Sequence, residues 1–283
     1  MQPQSSKLFE DVLVVGAGLM GAGIAQVLAE SGVHVILVDQ TAQELERAKR
    51  QIEKMHSRKH PETNAQSIFK NILFSTKMEE GKHCLLAIEA VPEKMAIKQE
   101  VFKRLDELLL PQAIIASNTS SLSIAAMSRV TTRPAQVVGM HFFSPVPVMR
   151  LVEVIHGINT SEETTEKIRK FGEQIGKEVI VAKDFPGFTV NRALVPLLNE
   201  AAYLVMEGND PEEIDRGLML GANHPIGPLR LIDSLGVDVL LFTIESLYEG
   251  FYDSKYRPCP LLKRMVEAGH LGKKSGKGFY DYA

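Results

Sequence analysis

Val12-Leu13-Val14-Val15-Gly16-Ala17-Gly18-Leu19-Met20-Gly21 is the stretch that decides the fold of this chain. It reads as a buried strand running into G-x-G-x-x-G, then a helix from Ala22 to about Ser31, then a second strand, Val33 to Val38, closed by Asp39. Each element has a physical task in holding a dinucleotide. Gly16 permits a tight strand-to-helix turn, Gly18 lets the backbone approach a pyrophosphate, and Gly21 lets helix and strand pack closely. Leu19 and Met20, between them, belong to the same cradle. The first-turn N–H groups of the helix face the phosphates, and the helix dipole favours negative charge there. A bare G-x-G-x-x-G also occurs as a packing turn. Here it stands in full strand–turn–helix–strand context with an acid at the end of the second strand.

Asp39 narrows the choice of cofactor. A carboxylate at that strand end accepts hydrogen bonds from the adenosine ribose hydroxyls and repels a 2′-phosphate. Gln40 follows it, where an NADP site would more often offer Arg. NAD is therefore expected rather than NADP, while FAD stays open on this motif alone.

Working outward, 283 residues allow one large or two modest domains. Hydrophobic residues make up 45% and charged residues 24%, as in an ordinary globular protein. The net charge of −3 supplies no basic field, so nucleic acid is not an expected partner. Cys84 and Cys259 are far apart and form no C-x-x-C pattern. They point to neither a disulfide framework nor a metal site, and to a reducing compartment. Cys84 begins Cys84-Leu85-Leu86-Ala87-Ile88, which reads as a buried strand. About ten residues precede the first strand, too few for a leader peptide, so a cytoplasmic protein is expected. Val12 to Ala29 is uncharged, but four glycines and a turn interrupt it, so no membrane span is expected.

The rest of the first part alternates short apolar runs with helices. Helical patterning covers Gln43–Arg58, Ala96–Leu110, Ser123–Ser128 and Glu162–Ile175. Strands are expected at Ile72–Ser75, Leu85–Glu89, Ala113–Ser117, Gln136–His141, Leu151–Ile155 and Glu178–Val181. This is the pattern of a doubly wound α/β sheet. After Lys183-Asp184-Phe185-Pro186-Gly187 strand signals vanish, and helices are expected at Asn191–Glu207, Pro211–Leu220, Val237–Tyr248 and Pro260–Ala268. The fold expected is an α/β Rossmann-type nucleotide-binding domain, residues 1–185, followed by an all-α C-terminal domain, residues 186–283.

His141 ends an apolar strand, and in open α/β sheets ligands bind beyond the carboxyl ends of strands. Glu153 lies among apolar neighbours on the next strand, and a carboxylate buried there needs a partner. His141 is the partner on offer, and a His–Glu pair serves acid–base chemistry. A strand-end histidine and a salt-bridged glutamate are the structural alternative. Ser117-Asn118-Thr119-Ser120-Ser121 turns hydroxyls and an amide to the same edge, or provides the N-cap for helix 123–128. Asn191-Arg192 opens the first helix of the second domain, where Asn191 either faces an interdomain cleft or caps the helix.

These motifs together resemble the L-3-hydroxyacyl-CoA dehydrogenase family, including its short-chain 3-hydroxybutyryl-CoA members. The likeness takes in Gly16–Gly21, Ser117–Leu122, His141-Phe142-Phe143 through Pro147-Val148-Met149 to Val154, Asp184–Arg192 and Gly272–Tyr280. It implies NAD-linked, reversible oxidation of a (3S)-3-hydroxyacyl-CoA to a 3-oxoacyl-CoA. His141 matches the family's base and Glu153 its orienting partner. Ser120 and Asn191 match residues that position substrate oxygens. Glu93 and Lys98 match cofactor-contacting positions, as does Ser120. The resemblance also implies a homodimer formed through the helical domain.

Two departures stand out. Ser144 stands where many members carry Asn after His-Phe-Phe, and its shorter side chain is expected to loosen one contact to the nicotinamide or its neighbours. The segment 51–71 is short, and Lys54 with the basic residues of His56-Ser57-Arg58-Lys59-His60 is what it offers to CoA phosphates. Two other readings remain: a β-hydroxyacid or sugar-acid dehydrogenase acting without CoA, and a non-catalytic, crystallin-like NAD-binding protein.

Overall fold

The computed structural model describes residues 7–282. Eight strands form one sheet: β1 (Asp11–Val15), β2 (His34–Val38), β3 (Ile72–Ser75), β4 (Leu86–Glu89), β5 (Ile114–Ser117), β6 (Val137–Phe142), β7 (Leu151–His156) and β8 (Glu178–Lys183). Their order is β3-β2-β1-β4-β5-β6-β7-β8. Every neighbouring pair is parallel except β6 and β7. The short 143–150 connection explains the exception, because a parallel pair needs a crossover of a dozen residues or more. The central strands read as continuous Val, Ile and Leu because both faces are covered, and β1, β4, β5 and β6 are buried almost throughout.

The crossover helices are α1 (Leu19–Glu30), α2 (Ala42–Lys59), α3 (Gln66–Phe69), α4 (Met95–Leu108), α5 (Ile124–Ser128) and α6 (Glu162–Gln174). Helix α1 starts at Leu19, three residues earlier than the glycine pattern suggested. Gly21 is a helical residue whose missing Cβ admits the carbonyl of Gly16, 1.7 Å from where that Cβ would stand. Capping of α5 also differs from expectation. Ser123 is its own N-cap, and Asp184 accepts the N–H groups of Ile124 and Ala125 at 3.1 and 2.9 Å. The 117–121 run therefore does not cap this helix.

The chain divides into two compact units, Met1–Asp184 and Phe185–Ala283. The second contains α7 (Val190–Met206), α8 (Pro211–Gly221), α9 (Pro228–Leu235), α10 (Val237–Phe251) and α11 (Pro260–Glu267). Leu198, Ala202, Leu229, Ile232, Ile244, Leu247 and Leu262 form its core. Helix α9 was not anticipated. It is one eight-residue helix between Gly227-Pro228 and Gly236, and flanking turn residues mask so short a period. Among the described residues no helix is long and apolar enough to cross a membrane.

Candidate active site

The parallel strands aim their carboxyl ends at one edge of the sheet. The register aligns Val38 with Val15, Val15 with Glu89, Glu89 with Ser117 and Ser117 with Gly139. One residue further along each of β1, β2 and β4 lie Gly16, Asp39 and Ala90. There they line a cavity of about 790 Å³ together with Gly18, Leu19, Met20, Gln40, Glu44 and Pro92.

The cavity has the features of a dinucleotide cradle. Gly16 has φ +101°, and a Cβ there would strike the Ala90 carbonyl oxygen at 2.6 Å. Gly18, the N-cap of α1, would meet no atom within 4 Å if it carried a Cβ, and no side-chain hydrogen bond caps that helix among the described residues. A bare helix N-terminus behind an open glycine is where a pyrophosphate fits. Asp39 is pre-oriented by the turn itself, Oδ2 accepting from the Ala17 N–H at 2.6 Å and Oδ1 from the Gln40 N–H at 2.7 Å. A carboxylate has about four acceptor positions, so both oxygens retain capacity for ribose hydroxyls. The residues thus fit NAD: Gly16 to Gly21 for the phosphates, Asp39 for the ribose.

Beside the cradle, a buried polar network fills the ends of β4 and β5. Glu89, fully buried, accepts from Lys98 Nζ at 2.8 Å, Ser117 Oγ at 2.6 Å and the Val91 N–H at 2.7 Å. Lys98 is 1% exposed and also meets Glu93 Oε2 at 3.1 Å. Glu93 Oε1 in turn accepts from Thr119 Oγ1 at 2.6 Å and from the Ser120 and Ser121 N–H groups at 2.9 and 3.2 Å. Burial alone would raise the Glu93 carboxyl. The Lys98 ammonium and the bonds from Thr119 and Ser120 outweigh it and hold the group below the usual carboxylate range.

His141 and Glu153 are register partners across β6 and β7, with Nδ1 and Oε2 2.8 Å apart. Glu153 is fully buried and His141 is 5% exposed. The Phe143 ring packs against the imidazole with centroids 4.5 Å apart. The strand pairing alone brings these two side chains together.

The remaining residues singled out from sequence are more dispersed. Ser144 is exposed on the 143–150 connection, and its peptide bond to Pro145 is cis. Lys54 is exposed on α2 and does not line the cavity. Asn191 is the second residue of α7, whose N-cap is Thr189, so Asn191 does not cap that helix. Glu89 was missed, although the argument that singled out Glu153 applies to it: a carboxylate in an apolar strand needs a partner. In the sequence Asn118 is one member of a polar run. Its Oδ1 accepts the Phe142 N–H at 2.9 Å.

Comparison with known proteins accords with this geometry. Residues 11–185 match the NAD binding domain of 3-hydroxyacyl-CoA dehydrogenase, and residues 187–282 match that family's C-terminal domain. A Bacillus subtilis protein named "Probable 3-hydroxybutyryl-CoA dehydrogenase" is 49% identical over 279 residues, 96% of this chain and 97% of its own. A 3-hydroxybutyryl-CoA dehydrogenase of Bradyrhizobium diazoefficiens is 44% identical over 97% of this chain and 96% of its own. The crystal structure of (S)-3-hydroxybutyryl-CoA dehydrogenase PaaH1 from Ralstonia eutropha superposes with a TM-score of 0.92 at 43% identity. It covers 97% of this chain and 99% of that one. The chain belongs to the 3-hydroxyacyl-CoA dehydrogenase family and is an NAD-dependent oxidoreductase.

Proposed function

We propose that the protein interconverts short-chain (3S)-3-hydroxyacyl-CoA and 3-oxoacyl-CoA, 3-hydroxybutyryl-CoA among them, with His141 as the acid–base residue. The observation that carries this reading is the 2.8 Å contact between His141 Nδ1 and buried Glu153. Glu153 fixes the ring orientation and stabilises the imidazolium form. With Nδ1 committed to Glu153, Nε2 exchanges the proton of the substrate hydroxyl. NAD held by the glycine turn and Asp39 would supply the acceptor for the hydride that leaves C3 of the substrate. In the reverse direction the same imidazolium returns its proton to the carbonyl oxygen.

Ser120 and Asn191 position the substrate oxygens in this scheme. Gly16, Gly18, Leu19, Met20, Gly21, Asp39, Gln40, Glu93, Lys98, Ser120 and Ser144 serve the cofactor, and Lys54 meets a CoA phosphate. Short acyl chains are supported by the names of the two relatives cited above. Residues 1–185 form the cofactor domain, and 186–283 the substrate domain through which two copies pair. Two buried cysteines without a disulfide accord with a reducing cytoplasm.

The test is NADH consumption with acetoacetyl-CoA, followed by initial rates across C4 to C12 acyl chains. Absence of turnover on every CoA ester refutes the reading. Turnover of a free hydroxy acid with no gain from the ester redirects it to a CoA-independent dehydrogenase.

A further inference from the structure

We propose that Asn118 is a positioning residue that sets the spacing between Ser120 and His141. The proposal rests on the roles given to those two residues above. The β5–β6 ladder has Ser117 opposite Gly139 as its last pair, after which the chain turns away toward Thr119. Asn118 stands at that point, half-buried. Its N–H donates to the Glu89 carbonyl on β4 at 2.8 Å, and its Oδ1 accepts the Phe142 N–H on β6 at 2.9 Å. The acceptor is the amide oxygen because its partner is an N–H. One residue therefore ties β4 to β6 across the end of β5, its backbone N–H bonding β4 on one side and its side-chain oxygen adding a rung to β6 on the other.

The two residues it links lead directly to the chemistry. Phe142 follows His141, and Asn118 is two residues before Ser120. Glu93 holds Ser120 from the other side through the 2.9 Å bond to its N–H. His141 is fixed laterally by Glu153. Asn118 is the cross-member between these two anchored groups. Displacement of a reacting group by about 1 Å costs on the order of 10²-fold in rate, so this bond acts on the chemical step and spares cofactor binding.

The experiment compares Asn118→Ala, which removes the acceptor, with Asn118→Asp, which keeps an oxygen at the same place. Amide exchange by NMR reads the Phe142 N–H directly, with the Met140 N–H as internal reference. In the alanine variant we expect Phe142 exchange to rise at least about 10-fold, beyond any rise at Met140, and kcat with acetoacetyl-CoA to fall on the order of 10²-fold. KM and NADH Kd should stay within about 3-fold, as for loss of a purely transition-state effect. Asn118→Asp should keep Phe142 protected and restore kcat to within about 5-fold.

An alanine variant with wild-type kcat overturns the proposal. So does an aspartate variant that protects Phe142 yet turns over as poorly as alanine, because the Nδ2 group would then be the functional one. A parallel loss of NADH affinity overturns it as well, in favour of a direct cofactor contact. Should the alanine variant not fold, the aspartate variant decides alone by the same two readouts. Full activity in His141→Gln or Ser120→Ala removes the premise instead, and is told apart because Phe142 exchange still rises in Asn118→Ala.

Discussion

Glu153 stands opposite His141 in the antiparallel β6–β7 ladder, and its Oε2 lies 2.8 Å from Nδ1. Directly opposed residues in such a ladder have Cβ atoms about 4.5–5.5 Å apart. That separation suits a one-ring, one-carboxylate contact without help from any loop. The pair is therefore held by the strand register itself and not by a loop.

Replacing His141 by Gln keeps a hydrogen-bonding side chain but removes the titrating ring. We expect kcat to fall by roughly 10²–10⁴-fold, the range for loss of a general base. NADH affinity, measured by fluorescence without acyl substrate, should stay within a few-fold, since the proposed role of His141 is proton exchange with the substrate and not holding the cofactor. A fully active variant would show that another group takes the proton.

Glu153→Gln retains the shape and loses the charge that, in the proposed mechanism, steadies the imidazolium. The expected result is a kcat lowered by about 10-fold or more and a pH–rate profile of altered shape. Rates measured from pH 5 to 10 check this. A profile superimposable on the wild type would separate Glu153 from the proton transfer.

These two residues were legible in the sequence because each broke a local rule. A histidine ended an apolar strand, and a carboxylate interrupted one. The glycine motif was legible for a similar reason, since G-x-G-x-x-G sits at a strand–helix junction that few other sequences satisfy. Contacts between distant segments were not legible. Asp184 caps α5 from 60 residues away in sequence, and Asn118 meets Phe142 from 24 away. Periodicity carries no record of either. Helix α9 is hard to read because its eight residues make little more than two turns, bounded by Gly and Pro at one end and Gly at the other. Glu89 is legible by the same rule as Glu153, a carboxylate in an apolar strand, but its partners Lys98 and Ser117 come from other segments.

Glu93 yields a prediction with a definite sign. Its folded carboxyl lies below the usual range, so the order it gives to Thr119–Ser121 is fully present above the unfolded value of about 4.5. That contribution is lost only as pH falls through the lower folded value. Amide protection at Ser120 and Ser121 should therefore be constant from pH 8 down to about 5 and collapse well below that. In Glu93→Gln the protection should be weak at every pH, with folding stability reduced by about 1–2 kcal/mol. Protection lost near pH 6 in the wild type would contradict the assignment.

Lys98 and Glu89 are a buried pair, 1% and 0% exposed. Removing one partner leaves the other charge without compensation at a site with no access to water. Lys98→Met should cost about 3–5 kcal/mol in a urea titration, far more than an exposed lysine would. Replacing Glu89 as well, in Glu89→Gln/Lys98→Met, should recover a large part of that loss. A double variant no more stable than the single one would mean that Ser117 and Val91, not Lys98, determine the state of Glu89.

The two helical-turn glycines separate folding from cofactor binding. At Gly21 an added Cβ would sit 1.7 Å from the Gly16 carbonyl oxygen, a backbone atom that moves only if the turn opens. Gly21→Ala should therefore destabilise the first unit and weaken NADH binding together. At Gly18 the same methyl meets nothing within 4 Å, and φ is −66°, so alanine fits without backbone strain. Gly18→Ala should unfold within about 1 kcal/mol of the wild type. Its NADH Kd should nevertheless rise at least 10-fold, about 1.4 kcal/mol. The methyl would occupy the open space in which phosphate oxygens would approach the α1 N–H groups if the turn holds the pyrophosphate as proposed. Equal NADH affinity in Gly18→Ala would place the pyrophosphate elsewhere than at this turn.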